Sequence, residues 1–443
     1  MRVIHTLGWY FPESSGGTEV YVDGLVRELR SQGVQSLVAA AQSGMQEATY
    51  TYNGVEVYRY PVFPSVSTDQ VCGYVPYGGF EDFARWLKDQ KADLYHQHSW
   101  TPGCGIHHLR LAKQLGMPTV VTVHVPGNVC LRGTMLLNGQ EVCDGRIERL
   151  RCSNCWGSSR GIPTWAGAVL AATPMPLIRI AESSFSGSRL ATALATPAFV
   201  VTHQNRLLEM ATLADRVVAV CQWLYDALVI NGVPKEKLVL CRQGVSNLNR
   251  KTTPHLKEQT GTLRVGFLGR WNKIKGIHIL VEAVRRLPAD VPIELVIHGL
   301  VQGEEAKVYQ HEVLNIAGND QRIRVAEPLA REAVSSALAN FNLLAVPSQW
   351  LETGPLVVLE AQAVGTPVLG SNLGGIAELV RHGVDGWLVP SGDVEAWTQS
   401  LLHLAENPDL LTRLRKGIQS VRTMSCVASD MAKLYREITF THY

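Results

Sequence analysis

The 443-residue sequence predicts an α/β protein made of two parallel-sheet domains. Three observations carry that prediction. Short apolar runs, the length of buried strands, alternate with segments of helical period in both halves. The chain is too long for one ordinary core, so two domains of roughly 200 residues each are expected. A polar, charged stretch at Asn249–Thr262, with Pro254 and Gly261 and almost no apolar period, separates the halves as a linker would. Two doubly wound domains joined in this way would face each other across a cleft, with ligands at the carboxyl ends of the strands.

The strand candidates of the first half are Val3–Leu7, Ser36–Ala40, Leu94–His98, Thr119–His124, Arg216–Cys221 and Leu238–Arg242. Those of the second are Leu263–Leu268, Ile293–His298, Ile323–Val325, Leu343–Val346 and Pro367–Leu369. Val22, Leu25, Val26 and Leu29 repeat at helical spacing before a stop at Gly33, and Ile277, Leu280, Val281 and Val284 do the same in the second half. The expected domains are 1–250, with a cysteine loop and insertion at 125–210, and 263–425. The linker is 251–262, and a C-terminal helix over 426–443 is expected to return to the first domain.

Composition narrows the function classes. With 46% apolar and 18% charged residues the chain is of soluble globular type. A net charge of +2, from 41 basic and 39 acidic side chains, gives no case for a nucleic-acid partner. Arg2 leads straight into a strand-like run broken by Gly8 and Pro12, so no signal peptide is expected. The most apolar stretch, Trp165–Ala181, is interrupted by Pro174, Pro176 and Arg179, too soon to span a membrane. Nine cysteines, an odd number, are expected as reduced thiols in the cytoplasm.

Two motifs in the second half point to a ligand. Gly269-Arg270 follows a strand, and Lys275-Gly276 precedes the helix from Ile277. Two cations beside a helix N-terminus make an anion site, although such a pair can equally sit exposed in a loop. Glu352-Thr-Gly-Pro-Leu-Val-Val-Leu-Glu360 runs from a strand end into an apolar helix. An ionised carboxylate only accepts hydrogen bonds, which suits sugar hydroxyls, and Glu360 between Leu359 and Ala361 would be unfavourable without a partner. Surface positions for both are the alternative.

The ordered set Gly-Arg-x4-Lys-Gly, Glu-x7-Glu-Ala, Gly365-Thr-Pro-Val and Gly374-Gly-Ile-Ala-Glu378 resembles the retaining glycosyltransferase family 4, of GT-B fold. The resemblance implies that Arg270 and Lys275 hold a donor diphosphate, Glu360 the ribose hydroxyls and Glu352 the hydroxyls of the transferred sugar. It implies that Val325 meets the base through its backbone and that Gly354, Pro355 and Leu356 line the donor. Gly354-Pro355 stands where many members have Phe-Gly. In the first half, Gly16-Gly17-Thr-Glu19 opens a helix and resembles the loop that meets the donor phosphates. His124, after Thr119–Val123, resembles the family histidine near the reaction centre, followed here by Val125 rather than Asp. His96 and His98 are expected in the pocket wall.

The implied activity is transfer of a sugar from a nucleotide-diphosphate donor to a glycan, lipid-linked or small-molecule hydroxyl. A sugar-nucleotide epimerase and a non-catalytic sugar-nucleotide-binding subunit are the alternatives. Cys130, Cys143, Cys152 and Cys155 form Cys-x12-Cys-x8-Cys-x2-Cys, a spacing that suits a structural zinc and equally four reduced thiols. No catalytic metal is expected. Residues 151–210 hold five Arg, no Lys and two Glu, which suits either an acceptor flap touching an anionic membrane surface or a plain helical insertion. The expected location is the cytoplasm, with contact at the inner membrane face.

Overall fold

A computed structural model describes residues 1–14, 16–44, 46–63, 69–70, 73–101, 103–163, 165, 171–172, 189–246 and 261–441. Residues 251–260 of the linker and half of the 156–199 segment lie outside the described residues. The chain forms two compact units, Met1–Arg242 with Met424–Tyr443, and Gln243–Thr423.

The first unit is built on the strands β1 (Arg2–Leu7), β2 (Gln35–Ser43), β3 (Ala48–Tyr52), β4 (Val55–Val62), β5 (Leu94–His98) and β6 (Thr119–Val123). A small hairpin, β7 (Leu136–Leu137) and β8 (Glu141–Val142), interrupts the series before β9 (Arg216–Ala219) and β10 (Leu238–Leu240). Eight of these form one sheet in the order β10-β9-β6-β5-β1-β2-β4-β3, parallel except for β3. The order reverses between β1 and β5, the switch point where ligands of such sheets bind. The helix Gly17–Ser31 buries the predicted Val22, Leu25, Val26 and Leu29 against this sheet. The C-terminal helix Met424–Thr441 belongs to the same core, burying Val427, Met431 and Tyr435 beside the first helix.

The β3–β4 hairpin has no counterpart among the expected strands. Its turn, Asn53-Gly54, has positive φ at both residues, +48° and +77°, the geometry that favours these two residue types. The strand β3 alternates weakly and is mostly solvent-facing, which conceals it from a hydrophobicity reading.

The second unit carries β11 (Leu263–Arg270), β12 (Ile293–Leu300), β13 (Ile323–Ala326), β14 (Leu343–Val346), β15 (Val368–Ser371) and β16 (Gly386–Val389). They form a fully parallel sheet in the order β13-β12-β11-β14-β15-β16. Its switch point is between β11 and β14. The first of these ends on Arg270 and the second leads into Ser348 and Glu352, so the charged motifs converge at the carboxyl ends of two neighbouring central strands.

Candidate functional site

In the second unit the site begins with a turn that only glycine permits. Gly276 has φ +71°, and a Cβ there would lie 1.9 Å from the carbonyl oxygen of Pro347. This close approach brings the turn Lys273–Lys275 against the segment leaving β14, where Gln349 N donates to Ile274 O at 2.7 Å. Lys275 Nζ then donates to Glu352 Oε1 at 2.5 Å, and Ser348 Oγ donates to the same oxygen at 2.7 Å. The ammonium also lies 5.5 Å from the Trp350 ring centroid. Glu352 is 6% exposed. Burial pushes its pKa up, but the Lys275 charge and hydrogen bonds from Lys275, Ser348 and Trp350 outweigh that, leaving it below the usual carboxylate value. Glu352 is therefore ionised at neutral pH.

The glycines around Glu352 are equally constrained. Gly354 has φ +116°, and a Cβ on Gly375 would fall 2.4 Å from Gly354 N and 2.6 Å from Glu352 O. Gly375 N donates to Glu352 O at 2.6 Å, which docks the Gly374-Gly375 helix start on the Glu352 loop. Pro355 caps the helix Leu356–Ala363 with an extended backbone. Glu360, on the second turn, pairs with Arg331 at 3.8 Å with 14% of its side chain exposed. Burial raises its pKa, and Arg331 offsets this only in part. Arg270 is exposed at the end of β11, and Val325 lies half-exposed on the edge strand β13. Sequence reading found Lys275 and Glu352 but not Ser348, Trp350 or Arg331, which carry no motif of their own.

In the first unit, the parallel register sets histidines from three strands on one face. His5 pairs with His96 and His98 with Thr122, and His124 lies two residues beyond Thr122. Their rings form a chain: His5 Nδ1 to His98 Nε2 at 3.1 Å, and His98 Nδ1 to His124 Nε2 at 3.0 Å. His96 is held by Tyr435 Oη at 2.6 Å and Thr122 Oγ1 at 2.7 Å. Tyr21 packs edge-on against His124 at 4.7 Å between centroids. Ser99, at φ +62°, accepts a hydrogen bond from His124 N at 2.8 Å.

The expectation that His96 and His98 line a pocket wall is corrected: both are fully inside, at 0% and 1% exposed, on the inner face that the register dictates. His124 is itself only 3% exposed. Burial lowers the pKa of His5 and His124 to about 3 and that of His96 and His98 well below the usual value, so all four are neutral at physiological pH. Ligand atoms of His5, His96 and His98 lie within 4.8 Å of one another, close enough for a metal. Both nitrogens of His96 and of His98 are already hydrogen-bonded, whereas His5 is bonded through Nδ1 and its buried Nε2 has no hydrogen-bond partner.

Gly16 is the N-cap of the helix Gly17–Ser31, and a Cβ on it would lie 2.7 Å from Glu19 Oε2. Ser14 Oγ donates to the same carboxylate at 2.5 Å, so a folded-back Glu19 shapes this turn. The loop after His124 brings Cys130, Cys143, Cys152 and Cys155 to one cavity. Among the described residues, no helix is long and apolar enough to cross a membrane.

Two family models match the chain: the glycosyl transferase 4-like domain over residues 16–244 and glycosyl transferases group 1 over residues 250–421. The D-inositol 3-phosphate glycosyltransferase of Corynebacterium efficiens is 32% identical over 185 residues, which are 40% of this chain and 43% of the relative. The matched stretch is thus under half of the curated relative's own length. Among solved structures, HepE of Anabaena, with UDP and glucose, superposes with a TM-score of 0.67 at 16% identity, over 99% of this chain and 100% of that one. Sucrose-phosphate synthase of Thermosynechococcus elongatus gives 0.67 at 18% identity over 99% of each chain. The shared fold is GT-B.

Proposed function

The chain belongs to the glycosyl transferase 4-like family, and from that premise we propose that it is a retaining glycosyltransferase acting on a nucleotide-diphosphate sugar. The observation that carries this reading is the ion pair of half-buried Lys275 with buried Glu352 at the β11/β14 switch point. An ionised carboxylate and a cation held side by side suit a ligand with sugar hydroxyls next to phosphates. On donor binding, Lys275 turns to the diphosphate together with Arg270, and Glu352 accepts from hydroxyls of the transferred sugar. Glu360 accepts from the ribose, Val325 meets the base through its backbone, and Gly354, Pro355 and Leu356 line the donor.

In the first unit taken by itself, the helix start at Gly16 and Gly17 suits phosphate oxygens, and neutral His124 suits a sugar hydroxyl. Negative charge grows on the leaving diphosphate oxygen as the glycosidic bond breaks. The cations stabilise that charge more than they stabilise the bound donor, which is what accelerates transfer. The acceptor hydroxyl enters on the face the leaving group departs from, so configuration is retained. The structure solved with UDP and glucose supports a UDP-hexose as the first donor to try, and the curated relative's name supports a small polyol phosphate as acceptor. We place the reaction in the cytoplasm, where nucleotide sugars of this class would be met.

Thermal shift against UDP-, GDP- and ADP-sugars tests the donor site, because a ligand bound only by the folded state raises the melting temperature with its concentration. Wild-type protein is expected to shift with at least one donor, and Glu352→Ala to lose that shift. Silence across the panel would overturn the reading. Interconversion of a donor without acceptor would instead establish an epimerase.

A further inference from the structure

We propose that Cys130, Cys143, Cys152 and Cys155 bind one zinc ion as thiolates, forming a structural centre in the loop after His124. All four side chains line a single cavity of about 30 Å³, larger than the roughly 10–15 Å³ that one water requires. They reach it from separate pieces of local structure. Cys130 follows the short helix Pro126–Asn128, Cys143 follows the hairpin strand β8, and Cys152 and Cys155 share a face of the helix Arg149–Ser158 at i, i+3 spacing. A tetrahedral thiolate site needs such convergence from several directions.

Zinc with four thiolates carries a net charge of −2, and the wall of this cavity is built to receive it. Arg132, Arg146 and Arg151 line it, and Arg151 Nη2, which is also ion-paired with Asp144, donates to Cys143 Sγ at 3.6 Å. Backbone amides supply two more donors to sulfur: Asn138 N to Cys155 Sγ at 3.2 Å and Glu148 N to Cys152 Sγ at 3.4 Å. Bonds of this kind orient and stabilise bound thiolates. His203 adds a second observation. It is 6% exposed, lines the same cavity, and its Nε2 has no hydrogen-bond partner. A buried polar nitrogen left in this state points to a ligand nearby.

No three of the four sulfurs lie within 4.8 Å of one another. Bonds of about 2.3 Å to one tetrahedral ion hold sulfurs about 3.8 Å apart, so binding draws the hairpin and the helix together. Each thiol releases its proton to solvent as its sulfur binds. The tightened loop is anchored to the unit by Asn231, whose Oδ1 accepts from Ile147 N at 2.8 Å and whose Nδ2 donates to Gly145 O at 2.7 Å. A segment with only two-residue strands has little core of its own, and a metal is the standard substitute.

The test is metal analysis by plasma mass spectrometry on the full chain, purified without a histidine tag. Wild-type protein is expected to hold about one zinc per chain, to lose it with its thermal stability on chelation, and to regain both on refilling. Cys143→Ser and Cys152→Ser are expected to retain under about a tenth of an equivalent. Cys426→Ser, at an exposed cysteine outside the loop, should retain the full amount. If the loop variants do not fold, cadmium exchange into wild-type protein decides instead, since thiolate ligation gives sulfur-to-cadmium absorption in the ultraviolet. Wild-type protein that holds no zinc as purified or after refilling would overturn the proposal. So would loop variants that keep their zinc, cadmium without that absorption, or iron in place of zinc.

Discussion

At the residue scale, the account turns on two carboxylates in opposite electrostatic states. Glu352 is stabilised as an anion by Lys275, whereas Glu360 is half-buried and faces the guanidinium of Arg331 at 3.8 Å. Lys275→Ala is expected to lower kcat/KM by about 10²–10³-fold, the scale for loss of a group facing developing charge. It also leaves only the Ser348 and Trp350 hydrogen bonds to oppose the burial of Glu352, so the acid limb of the pH–rate profile moves to higher pH. Steady-state kinetics across pH checks both.

Glu360→Gln is expected to weaken donor binding yet stabilise the ligand-free protein at neutral pH. The sign follows from linkage. A carboxylate whose folded pKa is raised binds its proton more tightly when folded, so stability falls as pH rises from the unfolded value near ~4.3 through the folded one. Gln removes that loss, and the gap from wild type should close below about pH 4 in denaturant titrations. A variant less stable than wild type at neutral pH would contradict this. The motifs made these residues legible in the sequence. The histidine chain was not legible, because His5, His98 and His124 meet only through a strand register that spacing along the chain does not reveal.

At the element scale, Asp215 ties the return of the chain from the α-helix Arg189–Leu213 to strand β6. It accepts from Lys113 Nζ at 2.7 Å and from Thr119 N at 2.8 Å. Burial raises its pKa, but the Lys113 and Thr119 bonds prevail and leave it lowered. A lowered folded value means that its stabilisation is present above the unfolded pKa of about 3.9 and is lost as pH falls through the folded one. Asp215→Asn should therefore lose about 1–3 kcal/mol at pH 7, with the difference narrowing in acid, as read from urea midpoints at several pH values. Most of the long strands were legible because burial on both faces makes them continuous apolar runs, as in Leu37–Ala41, whereas β4, whose run is broken by Glu56, Arg59 and Pro61, was not. The short β16 and the solvent-facing β3 lack that signature, and the Asn53-Gly54 turn beside β3 is the signal that could have found it.

At the scale of the whole molecule, the two-unit α/β organisation was legible from alternation and length. The C-terminal helix completes the first unit's core. Tyr435 is 0% exposed and hydrogen-bonds His96, so Tyr435→Phe should cost about 1 kcal/mol of stability, seen as a lowered denaturation midpoint. Donor hydrolysis tests the proposed reaction without knowledge of the acceptor, because water can replace the acceptor hydroxyl. Time-resolved proton NMR of the sugar first released from an α-linked nucleotide sugar reads its anomeric configuration before mutarotation. With retention, the α-anomer is expected to appear first and Glu352→Gln to suppress its release. First release of the β-anomer, or release unaffected by Glu352→Gln, would contradict it.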